Sequence, residues 1–217
     1  MIKNCIIILG LSVICTAAFG QNEKYTQRLN TYVSELDTAQ SVATLSSLAY
    51  RFSRLSEIET QDWMPLYYAA YCNMRIGQKT KDASEIEGFF NEGLTFLDKA
   101  EGLCDANSEI GALKARIQLY LMGVDHMAYG PKFIGSAKKS LEQAIEDDPN
   151  NPRAFLVMAY YYKHLPAFVG GSKKKSCEFF HKASAVASAT PTDKGQPGYY
   201  PHWGYSSINY YVEKACK

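Results

Sequence analysis

Four positions between residues 153 and 163 carry side chains suited to gripping another molecule: Arg153, Leu156, Tyr160 and Lys163. Their spacing places them along one stripe of a helix. An arginine fork, a phenol and an ammonium on one stripe can hold an extended peptide or its carboxylate. The competing arrangement packs Tyr160 under the 166–168 loop and turns both cations to water. His126, His164, His181 and His202 lie in different segments without HExxH or His-x-His spacing, so a metal site would have to be assembled by the fold. GxSxG, Walker and GxGxxG patterns are absent. Gly170-Gly171 lacks the Lys-Ser/Thr that cradles phosphate and reads as a turn, with Phe168 plugging the gap between helices. The acidic groups Glu57, Glu59, Asp62 and Glu146, Asp147, Asp148 read as solvated turns, and Lys173, Lys174 and Lys175 as a solvated face open to an acidic partner. The sequence therefore supports binding and offers no case for an enzyme, a cofactor or a metal centre.

The elements that must position these residues are helices. Residues 22–36 put Tyr25, Leu29, Tyr32, Val33 and Leu36 on one stripe, and Ser41 caps a second helix with Leu45, Leu48, Ala49, Phe52 and Leu55. Asp62 caps a third with Pro65 in its first turn, ending at Gly77. A helix through Ile86, Phe90, Leu94, Leu97 and Ala100 stops near Gly102. The segment from Ser108 to Met122 is apolar around much of its circumference, so it is buried on several sides. Residues 127–131 read as a turn or short crossing segment before a helix from Phe133 to Glu146. Asp148-Pro149-Asn150-Asn151-Pro152 then joins it to a helix opening at Arg153. Pro166 and Gly170-Gly171 break that unit before a helix from Ser172 to Ser188. Residues 190–201 form a linker, and Ser206 to Ala215 a closing helix.

Composition sets the compartment. Lys3, the apolar run Cys5 to Ala17 and Ala18-Phe19-Gly20 have the order of a cleavable secretory signal, and the run is shorter than the roughly 20 residues that span a bilayer. Its removal takes away one of 23 basic and none of 22 acidic residues, leaving the charges balanced. Balanced charge argues against nucleic acid, whose phosphates need a basic surface. Contact with a membrane is expected only through a partner. Sixteen tyrosines suit both aromatic packing between helices and a binding face. Of the cysteines beyond the signal, Cys177 and Cys216 fall opposite one another if the closing helix runs antiparallel to the helix from Ser172. Cys72 and Cys104 are out of register by about 18 Å at 1.5 Å per residue. Four free thiols are the alternative.

Ala137, Leu141 and Ala144 recur in type and spacing as Ser176, Phe180 and Ala183, and Gly93, Leu97 and Ala100 fit the same second-helix pattern. Phe155, Met158, Ala159 and Tyr162 fit a first helix, with Leu66 and Ala70, and Gly111 and Ala115, as partial matches. At these residues the chain resembles the tetratricopeptide repeat (TPR) family. Through Tyr129-Gly130-Pro131-Lys132, Pro166-Ala167-Phe168-Val169-Gly170-Gly171 and Pro201-His202-Trp203-Gly204 it also resembles small exported TPR proteins of Bacteroidetes-type Gram-negative bacteria. The resemblance implies an all-α, short irregular solenoid of about three helix pairs with capping helices at both ends. The divisions are a signal peptide (1–20), N-terminal capping helices (21–61), TPR-like repeats (62–188), and a linker with a C-terminal capping helix (189–217). First helices line the concave face of a TPR array, so the resemblance turns Arg153, Leu156, Tyr160 and Lys163 into a groove. It implies a periplasmic or secreted, non-enzymatic scaffold for an envelope protein or peptide. The alternative is a helical-repeat protein of a transport system that binds a small hydrophobic ligand, as in the TPR component of TRAP-type systems, with Tyr67, Tyr68 and Tyr71 around the hole. An enclosed apolar cavity would favour the ligand and an open polar groove the peptide.

Mass analysis of the native protein should give a first residue of Gln21; recovery of Met1 in the membrane fraction would contradict export with cleavage.

Overall fold

The computed structural model describes residues 23–189 and 197–216, and every regular element among them is helical. The signal and most of the linker fall outside these residues. In chain order the α-helices are α1 (23–38), α2 (Val42–Ile58), α3 (Met64–Lys79), α4 (Ala83–Glu101), α5 (Ser108–Val124), α6 (His126–Asp147), α7 (Pro152–His164), α8 (Lys173–Ala189) and α9 (Tyr205–Ala215). A 3-10 turn, Ala167–Val169, lies between α7 and α8.

Short polar side chains start most of these helices by accepting the first free amides, which otherwise have no partner. Ser41 accepts from Thr44, Asp82 from Ser84 and Glu85, Asn107 from Glu109 and Ile110, Asp125 from Met127 and Ala128, and Asn151 from Arg153. At α3 the cap position is Trp63, and Asp62 reaches past it to accept the Met64 amide at 2.9 Å.

The repeated triad explains the stacking. Gly93, Leu97 and Ala100 on α4, Ala137, Leu141 and Ala144 on α6, and Ser176, Phe180 and Ala183 on α8 are all buried. Small residues one turn either side of a large one let the partner helix approach while the large side chain fills the space between. Three pairs result, α3 with α4, α5 with α6 and α7 with α8; α5 also touches α4 and α7. At the N-terminal end α1 packs on α2 through Tyr32, set edge-on to Phe52 at 5.6 Å, and an Arg51–Glu35 ion pair.

Three local expectations change. Gly77 does not end α3, which runs on to Lys79; the glycine is where Phe90 packs, and a Cβ would lie 2.6 Å from its ring. Residues 127–131 are helical, part of one α6 with Pro131 inside it. The proline costs one hydrogen bond, to the carbonyl of Met127, in a first turn whose Met127 side chain is 87% exposed. Phe168 plugs nothing, being 89% exposed; Tyr162 and Phe179, stacked at 5.5 Å, fill the space between α7 and α8 instead.

A buried ion pair holds the centre together. Glu109, 1% exposed at the start of α5, accepts from Arg153 Nε at 2.7 Å and from a second guanidinium nitrogen. Burial pushes the Glu109 carboxyl up while Arg153 opposes that, and the helix start adds a favourable field. The Tyr67 hydroxyl lies 3.4 Å from the same carboxylate and accepts from Trp203 Nε1 at 2.6 Å, so α3, α5, α7 and the segment before α9 meet at one carboxylate.

Removing one member of a buried pair strands the other charge, so Glu109→Ala should lower unfolding free energy by about 3–5 kcal/mol in a denaturant titration.

Candidate functional site

A cavity of about 720 Å³ opens between α5, the first residue of α6, α7 and α9. Helical spacing gathers its walls. Arg116, Leu119, Tyr120 and Gly123 are one face of α5; Tyr160 and His164 are one turn apart on α7; Ser206, Ser207, Tyr210 and Tyr211 are one face of α9. His126 completes the rim from α6.

The α9 wall is fixed at both ends. Gly204, with φ of 98°, begins the helix in the left-handed region, and a Cβ there would meet Leu156 Cδ2 at 2.7 Å. Only glycine allows both that torsion and that contact. Ile208 then buries itself among Phe155, Leu156, Tyr160 and Phe180. At the far end Cys216 is bonded to Cys177 on α8 with Cα atoms 5.3 Å apart, the pairing that helix register favours. Cys72 and Cys104 are free thiols.

The cavity's charge is unusual. Arg116 has ring neighbours on three sides, its guanidinium carbon lying 4.8 Å from the Trp203 ring centre, 5.3 Å from Tyr160 and 5.8 Å from Tyr120. Its Nη2 donates to the Tyr120 hydroxyl at 3.2 Å, while Nε and Nη1 are shut off from solvent without a hydrogen-bond partner. Among the described residues it forms no ion pair. Burial, with Lys163 nearby, pushes the His164 imidazole below its ordinary pKa and so favours the neutral form, able to donate an electron pair. Burial raises the Tyr160 phenol, which stays protonated at neutral pH.

A second, polar cavity of about 380 Å³ lies across Arg116, sharing it with Ser206 and Ser207 and adding Asp37, Tyr68, Tyr71, Arg75 and His202. Its charged groups other than Arg116 are engaged: Arg75 donates to the carbonyls of Leu36 and Ala39, and His202 pairs with Asp37 at 2.9 Å.

The expected stripe is divided by this arrangement. Arg153 is 4% exposed and committed to Glu109, and Leu156 lies beneath Gly204, so neither faces an open groove. Both are covered because the chain folds its own 197–208 segment over α7. Tyr160 alone lines the larger cavity, and Lys163 Nζ sits 4.0 Å over the Tyr211 ring. Tyr68 and Tyr71 border the polar cavity, whereas Tyr67 is in the core. His126 and His164, distant in sequence, meet at the larger cavity. Arg116 is the residue sequence reasoning missed. Its signal was only partial: two cations, Lys114 and Arg116, interrupt Ile110–Met122, a segment otherwise apolar around much of its circumference, and Arg116 is the one that lines the cavity.

No protein-family model matches the chain, and no curated protein is similar to it. Among solved structures it is similar to the HusA haemophore from Porphyromonas gingivalis, at 29% identity over 88% of this chain and 92% of that one, with a TM-score of 0.76. A thermophilic TPR protein from Thermus thermophilus superposes with a TM-score of 0.55 at 14% identity, covering 92% of this chain and 94% of that one, which shows a common fold. The chain is an all-α, TPR-like helical array.

Breaking the α9 staple should be measurable by itself. For a bridge closing 39 residues, Cys177→Ser with Cys216→Ser should cost about 3–4 kcal/mol in a denaturation series, with Cys104→Ser, at a half-buried free thiol, as the control that leaves the bridge intact.

Proposed function

We propose that this protein is an exported binding protein whose cargo is a flat, aromatic small molecule of the tetrapyrrole class, held in the cavity between α5, α7 and α9. The observation that carries the reading is that cavity: about 720 Å³, walled by phenol rings, in a fold that resembles a haemophore. The volume falls within the roughly 300–1,000 Å³ of ordinary ligand sites. Its residues suit such a cargo. Tyr120, Tyr160, Tyr210 and Tyr211 offer ring surfaces, His126 and His164 offer nitrogen donors to a central metal, and Arg116 offers positive charge. A peptide running along the α7 stripe is disfavoured because the chain's own residues cover Arg153 and Leu156. Export is supported by the signal-like order of residues 1–20. No helix among the described residues is long and apolar enough to cross a membrane.

The mode of action follows from geometry. Apolar walls exclude water from the ligand faces, the ring-flanked Arg116 attracts negative charge, and α9 covers one side, so capture depends on a preformed shape.

Gly123 gives a clean test, since it lines the cavity and a Cβ there would meet nothing within 4 Å. Haem titrated into the wild-type protein should produce a Soret shift and quench tryptophan fluorescence through Trp203, with a Kd on the order of 1 μM or tighter. Gly123→Leu should keep or raise the thermal midpoint, because leucine is the better helix former, while weakening haem at least about tenfold. Wild-type protein that leaves the haem spectrum unchanged, or a Gly123→Leu protein that binds equally well, would remove this cavity as the site.

A further inference from the structure

Two arginines of the centre, buried Arg153 and half-buried Arg116, differ in one respect. Arg153 has Glu109; Arg116 has only rings and one phenol oxygen. A guanidinium cannot shed its proton at neutral pH, and two of its three nitrogens lack partners, so the folded chain carries a positive charge that it does not itself neutralise. The carboxylate that shares the polar cavity with Arg116, Asp37, is taken by His202, and Glu109 on the same helix by Arg153.

A second feature converges on the same place. Helix α9 starts without a side-chain cap because its cap residue is Gly204, which has no side chain to offer. The first-turn amides of an uncapped helix lack intrahelical acceptors and carry the positive end of its dipole. Ser206 and Ser207 of that turn border both cavities, together with Arg116. Ser207 and the Tyr160 phenol line the same cavity, placing another hydroxyl at the boundary. An unpaired guanidinium and an uncapped helix start thus share the border between an apolar and a polar cavity.

We propose that Arg116 and the first turn of α9 form a carboxylate-binding subsite, so that the cargo is an aromatic acid with its ring system in the larger cavity and its carboxylate at the border with the smaller one. This rests on the cavity being the ligand site. The carboxylate supplies the acceptor that Arg116 lacks, accepting from the guanidinium and from α9 amides. The subsite selects against neutral analogues of the same shape, because an ester brings the ring system but leaves the cation unpaired in a dry place. In the unliganded protein Arg116 contributes binding potential at the expense of stability.

The test compares protoporphyrin IX with its dimethyl ester, each titrated into the full-length mature protein and followed by quenching of its tryptophan fluorescence. The wild type should bind the acid at least about tenfold more tightly than the ester. Arg116→Gln should erase that preference by weakening the acid to the affinity of the ester, which itself stays unchanged; Arg116→Lys should restore part of the difference. The thermal midpoint of unliganded Arg116→Gln should equal or exceed that of the wild type, the opposite of what a structural arginine would show. Should the variants fail to fold, the wild-type comparison of acid and ester still decides. Equal wild-type affinity for the two would overturn the carboxylate subsite and leave the cavity assignment standing. Binding of neither would overturn both.

Discussion

A single buried carboxylate organises this molecule. Glu109 leaves water at the start of α5, and the cost of that transfer is offset only where a guanidinium meets both oxygens. Meeting that requirement brings α7 against α5 at Arg153, and the Tyr67 hydroxyl and Trp203 indole extend the network to α3 and to the segment leading into α9. Helix pairs of a solenoid interact mainly with their neighbours. The Trp203–Tyr67 bond spans 136 residues and fastens the end of the chain back onto its middle.

That fastening determines where α9 can go. With Trp203 held, Gly204 must turn in the left-handed region directly on Leu156, and α9 emerges across the face of α7 that a regular TPR array leaves open. Ile208 fills the near part of the space, and beyond it Tyr210 and Tyr211 stand apart from Arg116 and Tyr120. The cavity is what remains between α9 and the C-terminal ends of α5 and α7. Its polarity comes from the same α5 that carries Glu109, since Arg116 lies seven residues further along the same face. One helix therefore supplies a satisfied charge for folding and an unsatisfied charge for binding.

Much of the fold was legible because it depends on local chemistry. Ser41 and Asp62 sit where free amides need acceptors, and the small-large-small triads on α4, α6 and α8 are periodic in the sequence itself. Gly77 and Pro131 misled because their usual punctuating role was overridden, in one case by the Phe90 ring and in the other by an exposed first turn that tolerates a missing bond. The site was less legible. Tyr160 was identified, but the burial of Arg153 and Leu156 depends on a segment some fifty residues downstream, and no spacing within α7 reports it. Phe168 shows the converse: an aromatic in a tight turn suggests packing, yet Tyr162 and Phe179 had already filled the gap. Arg116 and Lys114 are the two cations in the apolar stretch of α5, and their sequence does not report that Lys114 reaches Asp98 and Glu101 while Arg116 is left among rings.

Hydrogen exchange of the mature protein with and without haem tests the central claim most directly, because it reports the position of the ligand on the chain. With haem seated in the cavity, exchange should slow only in residues 116–124, 160–165 and 205–211, the three stretches that wall it. Protection centred on α2 or α4, or on the exposed 165–171 turn, with those three stretches unchanged, would place the ligand elsewhere and contradict it.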